Sequence, residues 1–538
     1  MTGYGDLRTE GLFAELDGAD AARRVESALP RLGAADWIIG SAVSDPKLPG
    51  RVGIEVLPPA GGPALGVSEG WDLAHALARL SGAEVEPMFC GDVPIAEGAR
   101  FAEEAFPNDE SCPEDVRWHL EALHAEKALL RVSPPTSKIV IAHLDTGYAN
   151  HPELFGADPV VADSLGENLL ESELRPVDPL HTGALKQPGH GTATASVMAA
   201  RHGTRVRRAG AQNDVDLLGV APFATVAPYR VTESVVVLGW QRRLARAIER
   251  ATDAGHPIIS MSLGGLGGSR LARALREADE KGVIVIAAAG NYVPFVVAPA
   301  CYDTVVAVAA SGPDGAPWKW SSRGAAVGIT APGHMVWAAG FENGSPVARP
   351  GSGTSFSTAC VAGAAALWLC AHASVLGARN ATLPRRFRAA LACAGGKKLP
   401  SGFGAGVLDV VALLDAPTEA APTTEPLREA HEAFLTHMRA AALSKQLARE
   451  LAFHEQVVAA TDRPAHSTTA EALLQRADSG HRVLASSALR AALRGDGQDR
   501  PAAPAAVEVT SARAAAGARS SSRRVEIRLR ITLRAEGK

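Results

Sequence analysis

Ser355 follows the tight Gly353-Thr354 turn and opens a run, 355–370, in which nearly every residue is small or apolar, Ala364, Ala365, Ala366, Leu367, Trp368 and Leu369 among them. A helix that is apolar all round is a buried one, so its first residue has a rigid mount. Its amino end carries unpaired N–H groups and partial positive charge, which would stabilise an oxyanion forming beside a nucleophilic Ser355. His190, in Gly189-His190-Gly191-Thr192, stands at the start of a second helix, 192–200. The dipole there disfavours imidazolium and keeps the ring available as a base. Asp145 ends the apolar strand 138–144, and Asn291 follows the apolar strand 282–289. An orienting carboxylate, a base, an amide donor and a nucleophile are the groups that acyl transfer needs. Each also has an ordinary explanation, since Ser and His cap helices, Asp caps βα turns and Asn forms turns. Their occurrence together is what points to chemistry.

The elements that must position them alternate. Across 117–415 the strands expected at 138–144, 215–220, 257–263, 282–289 and 304–309 are interleaved with helices at 240–254 and 269–281, the pattern of a parallel sheet covered on both faces. In such sheets ligands sit at the carboxyl ends of the strands. Residues 1–90 read as a small α+β unit. A strand at 52–57 is followed by a helix capped by Ser68, running through Trp71, Leu73, Leu77 and Leu80 to Gly82, and by a further strand from Ala83. Residues 91–116, rich in Pro, Gly and acid, form a linker open to proteases. From 416 to 538 the chain reads as mainly helical, at 425–460, 469–477 and 483–494. It passes a flexible 501–504 and ends in a strand, 525–534, with one apolar and one basic face. A solvated face explains the basic side better than an anion site does.

At 538 residues, a prior of roughly 100 to 200 residues per domain implies two to four domains. With 54 basic and 58 acidic side chains the net charge is -4, which argues against nucleic acid or an anionic membrane as partner. The first residues include Asp6 and Glu10 and no long apolar run, so no secretory signal or span is expected and the cytoplasm is the expected location. Cys90, Cys112, Cys301, Cys360, Cys370 and Cys393 are scattered, with no CxxC pair to suggest a zinc site or a disulfide framework. No metal or cofactor is expected. His431-Glu432 and His454-Glu455 begin like a zinc-protease motif but close on Leu435 and Val458, and the glycines of 264–268 lose dinucleotide-loop spacing at Arg270.

Six segments in this order, Asp145-Thr146-Gly147, His190-Gly191-Thr192, Ser262-Leu263-Gly264-Gly265, Ala287 through Asn291, Ala331-Pro332-Gly333 and Gly353-Thr354-Ser355, resemble the subtilisin-type serine peptidases, the subtilases. The resemblance spans about 138–412. It implies a subtilisin-like three-layer α/β domain with a mostly parallel sheet and a serine endopeptidase that hydrolyses peptides through an acyl-enzyme. Ser355 would be the nucleophile, His190 the base, Asp145 its orienter and Asn291 an oxyanion donor. By the same resemblance Ser262, Leu263, Gly264 and Gly265 form the strand that pairs with substrate, and Ala289 and Gly290 form the facing wall of an open S1 pocket suited to apolar or large P1 residues. Ala359 replaces the usual Pro after the nucleophile, Ala193 replaces a second His, and Tyr148-Ala149-Asn150 lacks the Asp that binds calcium in some members. Residues 52–87 are similar to the family's inhibitory propeptides, which implies a folding aid cut away within 91–116. A peptide ligase or macrocyclase would share the triad, and an inactive scaffold would bind peptides through the Ser262 strand. Residues 416–538 resemble nothing nameable and are a candidate region for a protein partner.

Overall fold

The computed structural model describes residues 8–44, 50–60, 65–90, 112–133, 138–171, 174–182, 186–237, 241–265, 267–293, 295–419, 506–515 and 524–532. A seven-stranded, wholly parallel sheet carries the site. Its strands are β1 (Val140–Asp145), β2 (Glu167–Asn168), β3 (Thr225–Arg230), β4 (Ile258–Met261), β5 (Ile284–Ala288), β6 (Val305–Ser311) and β7 (Val327–Pro332). They lie in the order β7-β6-β5-β4-β1-β3-β2. Because β1 is flanked by β3 and β4, the connections leave it in opposite directions. The crevice at such a switch point is where these sheets bind ligands. Asp145 is the last residue of β1.

Four helices position the rest of the site: α1 (His190–Ala199), α2 (Gln241–Asp253), α3 (Ser269–Glu280) and α4 (Thr354–Ala371). The sheet and the helices on its two faces make the three-layer α/β domain that the sequence implied. α4 is buried from Thr354 to Trp368 and packs on β4, β5, β6, β7 and α1. Among the described residues it alone is long and apolar enough to cross a membrane, and here it forms the centre of the core.

Some expected elements moved. The strand expected at 215–220 is only the two-residue Asp214–Val215, and the sheet strand is β3. Pro228 hid it. Val226 and Arg230, of the same parity, bond outward to Val160 and Leu169, so the missing N–H of Pro228 falls on the short edge side. β7 and the antiparallel hairpin Val336–Glu342 with Ser345–Gly351 were also missed. The hairpin turn is Asn343-Gly344, with φ 51° and 77°, the dipeptide such tight turns favour.

The N-terminal residues form a five-stranded antiparallel sheet. Arg8–Asp17, absent from the sequence reading, lies between Arg51–Leu57 and Glu84–Cys90, and the equally unexpected Ile38–Ser44 pairs with Arg51–Leu57 at the edge. Leu12, Leu16, Val25, Ile54, Val56 and Leu77 close a separate core under the helices Ala21–Ala28 and Val67–Ser81. The cap of Val67–Ser81 is Gly66 rather than Ser68, and the Gly66 N–H donates to Glu69 at 2.8 Å. One face of this sheet meets α2 and α3 through buried charge. Glu55 accepts from Arg270 Nε at 2.7 Å and Arg242 Nε at 3.0 Å, Glu15 pairs with Arg273, and Glu86 accepts the Ser269 N–H at 3.1 Å.

The chain divides into two units, Met1–Phe434 and Leu435–Lys538. In the second, Ala506–Ala515 and Arg524–Thr532 pair antiparallel, with an irregularity between Val509 and Ser511. The terminal strand was expected and its partner was not. The helices expected at 425–460, 469–477 and 483–494, and most of the linker, lie outside the described residues.

Candidate active site

The turn after β1 and the start of α1 interlock. The Thr146 hydroxyl donates to Asp178 Oδ2 at 2.9 Å and accepts from the Gly191 N–H at 3.1 Å, while Asp178 Oδ2 also accepts the Gly189 N–H at 2.8 Å. Gly191 is needed because a Cβ there would lie 2.0 Å from the Gly147 carbonyl oxygen. Gly147 itself is at φ +93°, a conformation that favours glycine. The two short motifs are therefore one contact seen from both sides, and its product is the 2.7 Å hydrogen bond between His190 Nδ1 and Asp145 Oδ1. Both side chains are buried. Burial alone would push the Asp145 carboxyl up, but the charge and hydrogen bonds of His190 and His143 hold it well below the usual carboxylate range.

Ser355 lies in the first turn of α4. Its hydroxyl donates to the Ser262 carbonyl at 3.2 Å, and the Ser262 hydroxyl donates to the Ser355 carbonyl at 3.0 Å. Asn291 is oriented by α4: its Oδ1 accepts the Thr354 N–H and the Thr354 hydroxyl, both at 3.0 Å. A backbone N–H must meet an oxygen, so this fixes the amide and turns Nδ2 away as a donor. A Cβ placed on Gly353 would lie 3.3 Å from Asn291 Nδ2, 3.7 Å from the Ser355 nitrogen and 3.8 Å from Ser355 Oγ. Asn291 Nδ2, the Ser355 nitrogen and the Ser355 hydroxyl thus lie within 4 Å of one point at a helix amino end.

The acyl side of the site differs from expectation. Gly264 and Gly265 pair in parallel with Val236 and Val237, the Gly264 N–H donates to the Val235 carbonyl at 2.9 Å, and the Gly265 N–H donates to the Ala298 carbonyl at 2.8 Å. These backbone donors, expected to be open to a peptide, are already used. An open S1 pocket is expected between Gly264 and Gly290, and Val297 packs against both. A Cβ on Gly264 would lie 2.4 Å from its Cγ2, and one on Gly290 3.1 Å from each of its methyls. On the other side of His190 a cleft of about 550 Å³ opens between α1 and the hairpin, lined by Leu180, Lys186, Phe341, Arg349 and Phe356 among others.

Sequence reasoning missed His143, Asp178 and Val297. His143 had a readable signal, since it precedes Asp145 by two residues and so shares its face of the strand. Asp178 and Val297 had none, because only the folded loops bring them in.

An acid–imidazole pair, a helix-start hydroxyl and an oriented amide lie at the carboxyl edge of this parallel α/β sheet, and these are groups that a serine hydrolase uses. The subtilase family model matches residues 136–406, and the chain belongs to that family of serine endopeptidases. Thermitase of Thermoactinomyces vulgaris is 33% identical over 232 residues, covering 42% of this chain and 73% of thermitase. Subtilisin DY of Bacillus licheniformis is 36% identical over 187 residues, 34% of this chain and 63% of that protein, so the match spans less than two thirds of that relative. The crystal structure of fervidolysin from Fervidobacterium pennivorans, a keratinolytic enzyme related to subtilisin, matches with a TM-score of 0.52 and 22% identity over 78% of this chain and 63% of that one, a likeness of fold.

Proposed function

We propose that this endopeptidase cleaves peptide bonds with Ser355, His190 and Asp145, and that residues 1–90 restrain it. The Ser355 hydroxyl, which donates to the Ser262 carbonyl in this structure, turns toward His190, and Oγ attacks the scissile carbonyl as His190 Nε2 takes its proton. Asp145 holds the ring by Nδ1 and stabilises the imidazolium that forms. The carbonyl oxygen, now negative, rests between Asn291 Nδ2 and the Ser355 N–H. One such donor contributes about 3 kcal/mol, a size known from subtilisin itself rather than worked from this structure. His190 passes its proton to the leaving amine, and water then resolves the acyl-enzyme by the same route. The observation that carries this reading is the 2.7 Å Asp145–His190 bond, together with Asn291 Nδ2, the Ser355 nitrogen and Ser355 Oγ gathered about Gly353 at the amino end of α4. Val297 limits P1 to small apolar side chains. A peptide that pairs with Gly264 and Gly265 has to displace Val235–Val237.

Restraint by the N-terminal residues is supported by the charged contact of Glu55, Glu15 and Glu86 with α2 and α3. Burial pushes the Glu55 carboxyl up, but Arg270 and Arg242 outweigh it and hold the group ionised.

Labelling with a fluorophosphonate, beside Ser355→Ala, tests the reading. An adduct on Ser355 that is absent from the variant is expected, with mass spectrometry of the labelled species locating its amino terminus. No adduct, even after cleavage within 91–116, would overturn the triad. Equal labelling of the full-length and cleaved chains would overturn the restraint.

A further inference from the structure

β1 carries a second imidazole that this mechanism does not use. His143 is 3% exposed, and its Nε2 lies 3.3 Å from Asp145 Oδ2 and 3.1 Å from Thr194 Oγ1. The protons can be counted. Asp145 is held ionised and can only accept, so the imidazole nitrogen that faces it carries the hydrogen; the Thr194 hydroxyl is then free to donate to the His190 carbonyl, at 3.0 Å one turn back in α1. His143 Nε2 therefore carries a hydrogen; its hydrogen bond is to Thr194 Oγ1, and Asp145 Oδ2 lies in charge contact at 3.3 Å. The other carboxylate oxygen, Oδ1, accepts from His190 Nδ1 and from the Thr146 N–H, each at 2.7 Å. The carboxylate thus has one imidazole hydrogen-bonded at Oδ1 and a second within 3.3 Å of Oδ2, and the second is tied through Thr194 to the backbone of the first.

We propose that His143 is a positioning residue for the triad: its Nε2–H fixes the rotation of the Asp145 carboxylate and draws charge to Oδ2, which weakens the hold of Oδ1 on the His190 imidazolium and keeps His190 a base further into acid. The sign follows from sharing. A carboxylate that spends charge on one donor has less for the other, so removing His143 strengthens the Asp145–His190 attraction and makes His190 harder to deprotonate. Other charges face the pair. Asp178 bonds Thr146 and the amino end of α1. Arg230, beside Asp145 on β3, is buried and paired with Glu171 and Glu233, and Glu233 also holds His181 and Lys186. β4 places Ser260 opposite His143, and α4 carries the hydroxyls of Thr354, Ser355, Ser357 and Thr358 and the buried Cys360 thiol, which burial keeps neutral. None of these changes when His143 is replaced, so a shift belongs to His143.

This rests on the triad reading, and the experiment separates the two. The pH dependence of kcat/KM is measured for the active form of the wild type, His143→Leu and His143→Gln, the last of which keeps an N–H donor. His143→Leu is expected to raise the acid-side midpoint by about half to one pH unit and to lower kcat several-fold, whereas His143→Gln stays near the wild type. Mere loosening of the core would lower kcat without moving the midpoint. An unmoved midpoint in a folded His143→Leu, or a Gln variant that shifts as Leu does, overturns the inference. Imidazole nitrogen NMR on full-length Ser355→Ala protein, with the His143 signal identified by its loss in His143→Gln, gives a reading that needs no turnover. A hydrogen on Nε2 is expected at neutral pH, and one on Nδ1 alone overturns the inference. Absence of activity and of label in the wild type would defeat the triad reading, while the tautomer would still be read.

Discussion

Val297→Gly should exchange the peptidase's preference at P1. In the structure the Val297 methyls occupy the gap between the faces of Gly264 and Gly290, at 2.4 Å and 3.1 Å from where Cβ atoms would sit. The substitution removes three carbons, which three carbons of a larger P1 side chain can replace. At about 0.8 kcal/mol per buried methylene this is about 2.4 kcal/mol, or about 50-fold in relative kcat/KM. The backbone should survive. The Val297 N–H bond to the Ala289 carbonyl at 3.0 Å is kept, and a glycine there costs about 1 kcal/mol in chain freedom. The assay is a fluorogenic peptide series that differs only at P1, with Ala, Leu and Phe. Wild type should favour Ala, and the Phe to Ala ratio should rise by about 50-fold in the variant. A wild type that prefers Phe, or a ratio unchanged in a variant of normal melting temperature, would refute the pocket geometry.

Glu55→Ala leaves Arg270, 2% exposed in its side chain, with Glu249 as its carboxylate partner and takes from Arg242 its contact at 3.0 Å. Breaking a buried pair costs about 3 to 5 kcal/mol, so limited proteolysis should release the N-terminal residues faster and activity should appear earlier; an unchanged time course would count against the charged contact. Glu153 is buried, and burial pushes its carboxyl up to about 8. Its folded value lies above the unfolded one of about 4.5, so its share of stability is present below pH 4.5 and lost as pH rises to about 8. Glu153→Gln should therefore raise the melting temperature more at pH 9 than at pH 5, and an equal gain at both would sink the assignment.

The fold was legible where sequence period and position agreed. The apolar runs of β4, β5 and β6, and α4 with no polar face, have one reading each, and Asp145, His190, Asn291 and Ser355 stood out because each sits where a regular element ends. What escaped depended on contacts distant in sequence. β3 was masked by Pro228, whose missing N–H is harmless only because the partner on that side is short. Arg8–Asp17 reads as a strand only beside Arg51–Leu57 and Glu84–Cys90. Val297 closes the P1 gap from a loop that the cis Ala298-Pro299 bond follows, and nothing in 282–290 announces it. His143 was visible in β1 and was overlooked because a lone histidine in an apolar strand reads as core.

The closed acyl side shifts the burden of specificity. Gly264 and Gly265 give their N–H groups to Val235 and Ala298, so a peptide that takes them exchanges hydrogen bonds rather than adding them. Exchange of one satisfied bond for another is close to neutral, and Val235–Val237 must also be moved aside. Backbone pairing then holds any sequence weakly and equally. Discrimination is left to side chains that bury apolar area, and the gap bounded by Val297 adjoins Gly264. Widening that gap should therefore act on kcat/KM through P1 alone, with the order of preference at more distant positions of the peptide unchanged.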